Sequence, residues 1–278
     1  MTCPDILKKK CMNLLNIQNI RSIGDNDIVK LGYQLRLMAK KDQNVKAFVS
    51  KIDQFIGDDD VSVLCIKNQP FSPSDERYLD CFTRVILNCL KLEDVDDQYL
   101  TGQDSAVEAF HSDRGTPDGR RIKDVFAIAC SENKPNIPFV VLPWKTIRLN
   151  LSFEIIEGLK ARNQVFPDPE TMATRIPILS VDDRGRELFF FDNRLSTGLE
   201  ERDIYLETLH STINKLEDTH SIELYIQPGE TAIVKNFGCL HKRGSKKQSK
   251  VHLDYLARKV IRYDTLNPAS SGLEVIYR

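Results

Sequence analysis

The sequence has no run of about 18 apolar residues, so nothing in it predicts a membrane-spanning helix. It also lacks a charge excess: 39 basic residues stand against 40 acidic ones, leaving no whole-chain field to draw in nucleic acid or an anionic membrane surface. A small neutral or zwitterionic partner fits better. No Cys-x-x-Cys pair occurs among the seven cysteines, and their odd number argues against both a disulfide framework and a zinc ribbon. Reduced thiols in a cytoplasmic protein are expected. Lys8, Lys9 and Lys10 are followed by a stretch broken by polar residues, with no small-residue cleavage site, so a signal peptide is not expected. Internal repeats, low-complexity tracts and linker-like segments are missing too.

What is present begins as helix. Ile28, Leu31, Leu35 and Met38, then Phe48, Ile52 and Phe55, recur at three or four residues within each group. Val61–Lys67 is a β-branched run stopping at Asn68-Gln69-Pro70, the pattern of a strand entering a turn. Ser72–Glu76 precedes an apolar helix through Phe82, Val85, Ile86 and Leu90. From about residue 95, short strands take over between Gly, Pro and Asp clusters, at 106–110, 125–129, 139–142, 176–181, 188–191, 222–226, 231–234 and 251–263. Helices are expected to interrupt them at 152–162 and 202–216, the latter with a stripe of Leu206, Leu209, Ile213 and Leu216. The expected class is mainly β with flanking helices, an antiparallel sandwich or barrel. One domain over residues 1–278, with a helical portion at about 1–60, is the economical organisation.

The chemistry centres on Phe110-His111-Ser112-Asp113, where a strand breaks into the loop Gly115–Gly119. Alternate residues of an extended backbone share a face, so His111 and Asp113 can offer a nitrogen and an oxygen to one ion. A third ligand must come from elsewhere, and His241 is the candidate. It follows a Pro228-Gly229 turn, a strand at 231–234 and a second loop. Two histidines and one carboxylate with open positions is the arrangement associated with non-haem iron(II). Downstream, Arg258 and Arg262 stand four residues apart in an expected strand, where two guanidinium groups on one face can each take a carboxylate.

With these pieces in this order, the sequence resembles the taurine dioxygenase and clavaminate synthase-like iron(II)/2-oxoglutarate oxygenases, and within them the amino-acid hydroxylase branch. The resemblance runs from about residue 60 onward: Val61–Pro70 is similar to the family's early strand and turn, Phe110–Asp113 to its His-x-Asp/Glu, Leu224–His241 to its Pro-Gly strand and distal histidine, and Arg258–Arg262 to its paired arginines. It implies a double-stranded β-helix, or jelly roll, with Fe(2+) held by His111, Asp113 and His241 as the catalytic centre. It further implies 2-oxoglutarate and O2 as co-substrates, with succinate and CO2 released. By position, Arg258 would bind the distal carboxylate of 2-oxoglutarate. Arg262 would face the substrate, and Asp192 would hold a polar or cationic group of it. The implied reaction is hydroxylation of an unactivated C–H bond in a small amino acid or derivative, free or attached to a carrier protein.

The sequence departs from the family in two places. A threonine that helps hold the co-substrate has no counterpart in the apolar segment 136–141, and Thr146 is the nearest candidate. The arginines admit a second register, in which Tyr255-Leu256 makes Arg258 the second of the pair and Asp254 replaces the first; His252, Arg243 and Lys250 are then substitutes. Plainer roles exist as well. His-x-Asp is often a surface or cap pair, the arginines often meet acids on a sheet, and Asp192-Asn193 often caps a turn. His210 and His220 read as solvated, Phe189-Phe190-Phe191 as core, and Lys242–Lys250 as a solvated loop or an active-site lid. Desaturation, cyclisation or epimerisation at the same centre, a zinc hydrolase, and a non-catalytic jelly-roll binding protein are the competing readings, while a carboxylate at Asp113 disfavours halogenation.

Overall fold

A computed structural model describes residues 2–6, 9, 25–58, 60–67, 82–86, 94–102, 109–112, 125–133, 137–166, 174–182, 185–192, 203–244 and 258–266. Within them, period-two alternation builds two facing antiparallel sheets. The larger has the order β1-β10-β3-β12-β2, made of β1 (Val63–Ile66), β2 (Asp94–Gly102), β3 (Val125–Asn133), β10 (Glu230–Lys235) and β12 (Arg258–Leu266). The smaller has the order β11-β4-β9, from β4 (Phe139–Pro143), β9 (Ile222–Leu224) and β11 (Cys239–Arg243). Two hairpins, β5 (Asn163–Phe166) with β6 (Thr174–Pro177) and β7 (Leu179–Val181) with β8 (Glu187–Phe189), are inserted between β4 and β9.

Side-chain alternation explains the layers. On β3, Phe126, Ile128 and Cys130 enter the space between the sheets, where they meet Phe139 and Val141 of β4 and Cys239 of β11. The intervening Val125, Ala127 and Ala129 face the other way. There they pack on α1 (Asp25–Met38), α2 (Gln43–Gly57) and the helical residues 82–86, through Leu35, Phe48, Ile52, Phe55 and Phe82. Asp42 starts α2 by accepting the amides of Asn44 and Val45 at 2.8 and 3.1 Å. Val140, Leu142 and Leu240 line the outer face of the smaller sheet. They are covered by α3 (Trp144–Leu149), α4 (Phe153–Lys160) and α5 (Ile204–His220), the last through Leu206, Leu209, Ile213 and Leu216. The Phe189–Phe191 run is fully buried core. Two facing antiparallel sheets are thus flanked by a helical layer on each outer face, and no described helix is long and apolar enough to cross a membrane.

Three local expectations change. His241 lies inside β11 rather than after a loop, because a 3-10 turn at Asn236–Gly238 returns the chain directly into strand pairing with β4. Asp94–Gly102, acidic and poor in β-branched residues, is a strand because β12 pairs with it along its whole length, and pairing overrides local preference. His210 is half-buried, edge-on to Phe191 at 4.9 Å, since it stands four residues after Leu206 and three before Ile213, on the apolar stripe itself. His220, at the end of α5, is exposed as expected. The expected strand at 106–110 lies mostly outside the described residues, as do residues 251–257 of the last one.

Arg162 locks α4 to α5: its Nε donates to Asp203, the N-cap of α5, at 2.9 Å, its Nη1 to the carbonyl of Gly158 at 3.0 Å, and its guanidinium lies 4.0 Å from the centre of the Tyr205 ring. That ring occupies the space a side chain at Gly158 would need, with a Cβ there only 2.0 Å from Tyr205 Cδ1. Ala normally stabilises a helix interior over Gly by about 1 kcal/mol. Gly158→Ala is expected to do the reverse, lowering stability in urea denaturation by about 1–3 kcal/mol through overpacking.

Burial holds the His210 pKa below the ordinary imidazole value. The unfolded chain therefore binds this proton more readily than the folded one, so stability falls as pH drops through and below about 6.5. His210→Leu should shrink the stability loss between pH 7.5 and 5.5 in the same denaturation assay; an unchanged slope would sink this assignment.

Candidate metal centre

Beyond β11 the smaller sheet continues through two isolated bridges. His111 pairs with His241, each amide donating to the other's carbonyl at 3.0 and 2.9 Å, and on its other side His111 pairs with Asp192. Residues directly opposite one another in an antiparallel pair project to the same face. His241, His111 and Asp192 therefore form one cross-strand row.

That row faces the space between the sheets. The His241 ring lies 4.7 Å from the ring of Phe126 and 5.5 Å from that of Phe139, and the two imidazoles are 4.6 Å apart, tilted by 56°. All three row residues are buried. His111 Nδ1 is 2.8 Å from the carbonyl oxygen of Ala109. A carbonyl only accepts, so Nδ1 carries the proton and the lone pair is on Nε2, the state and orientation a metal-bound histidine needs.

Ser112, not among the candidate residues of the sequence, ties the His111 segment to the stretch that carries Asp192. Its amide donates to Phe191 O at 2.7 Å, and its buried hydroxyl accepts from Phe191 N at 3.4 Å. A small hydroxyl residue between His111 and Asp113, opposite a Phe-rich strand, was the available signal.

Asp113 lies outside the described residues. Among the described residues no three His, Cys, Asp or Glu side chains gather as a metal-holding group, so Asp192, despite its place in the row, does not complete a set with the two histidines. Two buried imidazoles converging on one face suit a divalent transition metal. Asp113, two positions after His111 in the sequence, is the carboxylate the sequence offers.

Arg258 and Arg262 are both in β12, opposite Gly102 and Gln98 of β2 and opposite Asn133 and Ile128 of β3, with a register shift against β3 between Lys259 and Val260. Arg243 sits on β11 opposite Phe139, one alternation from His241. Thr146 falls in α3, beyond the end of the strand that pairs with His241. Lys250, His252, Asp254, Tyr255 and Leu256 lie outside the described residues. One expectation fails outright: Lys242 is not in a solvated loop but is buried in β11, its ammonium 2.5 Å from Glu217 of α5. Strand pairing of β11 to β4 continues through Arg243 and draws Lys242 under the helix.

No protein-family model matches the sequence, and no curated protein matches it either. Solved structures do. A crystal structure of asparagine oxygenase (AsnO) aligns with a TM-score of 0.68 at 16% identity, covering 96% of this chain and 92% of that one. The non-haem iron oxygenase OrfP, in complex with Fe, succinate and (3R,4R)-dihydroxy-L-Arg, aligns with a TM-score of 0.64 at 15% identity, covering 96% and 93%. OrfP with Fe and alpha-ketoglutaric acid gives 0.61 at 16% identity, again over 96% and 93%. Nearly the whole chain therefore shares its fold with these oxygenases.

Proposed function

We propose that this chain is an iron(II)- and 2-oxoglutarate-dependent dioxygenase that hydroxylates an unactivated C–H bond of a small amino-acid-like substrate, releasing succinate and CO2. The observation that carries the reading is the His111–His241 pair. The two histidines are 130 positions apart in sequence, yet stand directly opposite in adjacent strands, facing the core between two sheets, with the His111 tautomer set by Ala109. The likeness in fold to AsnO and OrfP supports it.

Chain order supports the finer architecture. The segments β2, 109–112, β3, β4, β9, β10, β11 and β12 fall in the larger, smaller, larger, smaller, smaller, larger, smaller and larger sheet. We read this order as the winding of a double-stranded β-helix, in one domain over residues 1–278.

In this reading His111, Asp113 and His241 hold Fe(2+). The bound metal supplies the redox chemistry that couples 2-oxoglutarate decarboxylation and O2 to oxidation of the substrate. The protein does the rest. The Ala109 carbonyl fixes the His111 ring, and Phe126 and Phe139 keep water from the inner side of His241. Arg258 takes the distal carboxylate of 2-oxoglutarate, and Arg262 takes a carboxylate of the substrate. Asp192, adjacent to His111 in the row, accepts a hydrogen bond from a cationic or amide group of the substrate. Crystal structures of OrfP with (3S)-hydroxy-L-Arg and of asparagine oxygenase with 2S,3S-3-hydroxyasparagine and succinate favour an amino acid, free or carrier-bound. The enzyme would act in the cytoplasm.

Anaerobic addition of iron(II) and 2-oxoglutarate is expected to give the weak visible charge-transfer band of the chelate, and Asp113→Ala to abolish both the band and succinate formation in air. No band, and no succinate with any amino acid tried, would overturn the proposal. Screening the free amino acids for a gain of one oxygen atom by mass identifies the substrate.

With that substrate, Asp192→Asn should raise KM by about 10- to 150-fold, the worth of a hydrogen bond to a charged group, with the 2-oxoglutarate requirement unchanged. Arg262→Ala should likewise impair substrate more than 2-oxoglutarate. Equal loss of both would mean that the arginine register is misassigned.

A further inference from the structure

The strand seam that brings the two histidines together has a second side. Because His241 stands opposite His111, the next pair in register is Lys242 opposite Phe110, and strand alternation turns that pair to the outer face, under α5. The Lys242 ammonium lies 5.2 Å from the centre of the Phe110 ring and 2.5 Å from Glu217 Oε1. Both charged side chains are largely withdrawn from solvent, at 4% and 11% exposure. One chain of contacts thus runs from α5 through Glu217 and Lys242 to Phe110, the residue before His111.

A buried ion pair is a poor source of stability, since apolar residues of similar volume often replace one at no loss; its better-attested use is to fix register. Register is what this seam needs. Among the described residues β11 meets segment 109–112 through the single bridge at His111 and His241. A slip of one residue would turn one histidine out of the shared face, and the pairing itself supplies two hydrogen bonds to oppose it. We propose that Lys242 and Glu217 are positioning residues for the metal-binding histidines, holding β11 and the His111 segment in register from the face opposite the metal. The proposal rests on the reading of His111 and His241 as metal ligands. A cation anchored to helix and ring at once ties three elements together directly behind the two imidazoles.

The test uses Co(II) as a spectroscopic probe in the full-length protein, with its affinity read from the visible absorption and thermal stability read on the metal-free chain. Glu217→Met/Lys242→Met removes both charges at similar volume. It is expected to keep the wild-type melting temperature or raise it, while weakening Co(II) binding about 10- to 100-fold, the range typical of residues that orient ligands. Lys242→Arg, which keeps a cation beside Glu217 on a bulkier, planar head group, should retain more Co(II) affinity than the double variant. Unchanged Co(II) affinity in the double variant overturns the proposal. So does a parallel loss of affinity and melting temperature, which would make the pair a support of the fold alone. Failure of the wild-type protein to bind Co(II) at all would instead strike the metal reading, and this inference with it.

Discussion

Two backbone hydrogen bonds, His111 N–H to His241 O and His241 N–H to His111 O, carry more of this structure's meaning than their strength suggests. Each contributes about 0.5–1.5 kcal/mol net, little beside the burial of Phe126 or Phe139. Their value is positional. They bring two residues far apart in sequence to one level of one sheet, on one face, with their rings 4.6 Å apart. The inter-sheet core, the Ala109 carbonyl on Nδ1, the Ser112 contacts with Phe191 and the clamp beneath α5 all serve to hold that level. The hydrophobic effect drives the sheets together, but it is non-directional and does not choose the register. Directional contacts at the seam do.

The polar groups around the seam are divided by face. Inward, toward the core between the sheets, stand His241, His111 and Asp192. Outward, under the helices, stand Phe110 and Lys242. The same alternation that makes an amphipathic strand here separates groups suited to chemistry from groups suited to fixation. It lets a lysine sit next in sequence to His241 with its ammonium on the opposite face of the sheet from the two imidazoles.

Much of this was legible before any coordinates. The stripe Leu206, Leu209, Ile213 and Leu216 predicts the buried face of α5, and Val125–Ala129 and Phe139–Leu142 predict strands now seen as β3 and β4. Motif spacing, through a family resemblance, brings His111 together with His241. What escaped is what depends on partners distant in sequence. Asp94–Gly102 has no strand signal of its own and is defined by β12. Lys242 heads a run of basic residues that locally looks like solvated loop, and only its pairing partner Val140 and the approach of Glu217 reveal it as interior. His210 escapes for a different reason: its polarity suggests solvent, while its phase on the helix places it on the apolar stripe.

The stretch between β4 and β9 leaves the smaller sheet at Pro143 and re-enters it at Ile222, on a strand hydrogen-bonded to the one it left. All of α3 to α5 and β5 to β8 is thus, topologically, the contents of one hairpin loop whose mouth is clamped by backbone pairing. Asp192 belongs to that loop, whereas His111 and His241 belong to the framework. A change of length or sequence within the insertion can therefore be absorbed without disturbing the pairing of His111 with His241, because the mouth of the loop is fixed by β4 and β9. The fold thus pairs a variable insert with a constant seam: what the loop contains and how the two histidines meet are set by separate parts of the chain.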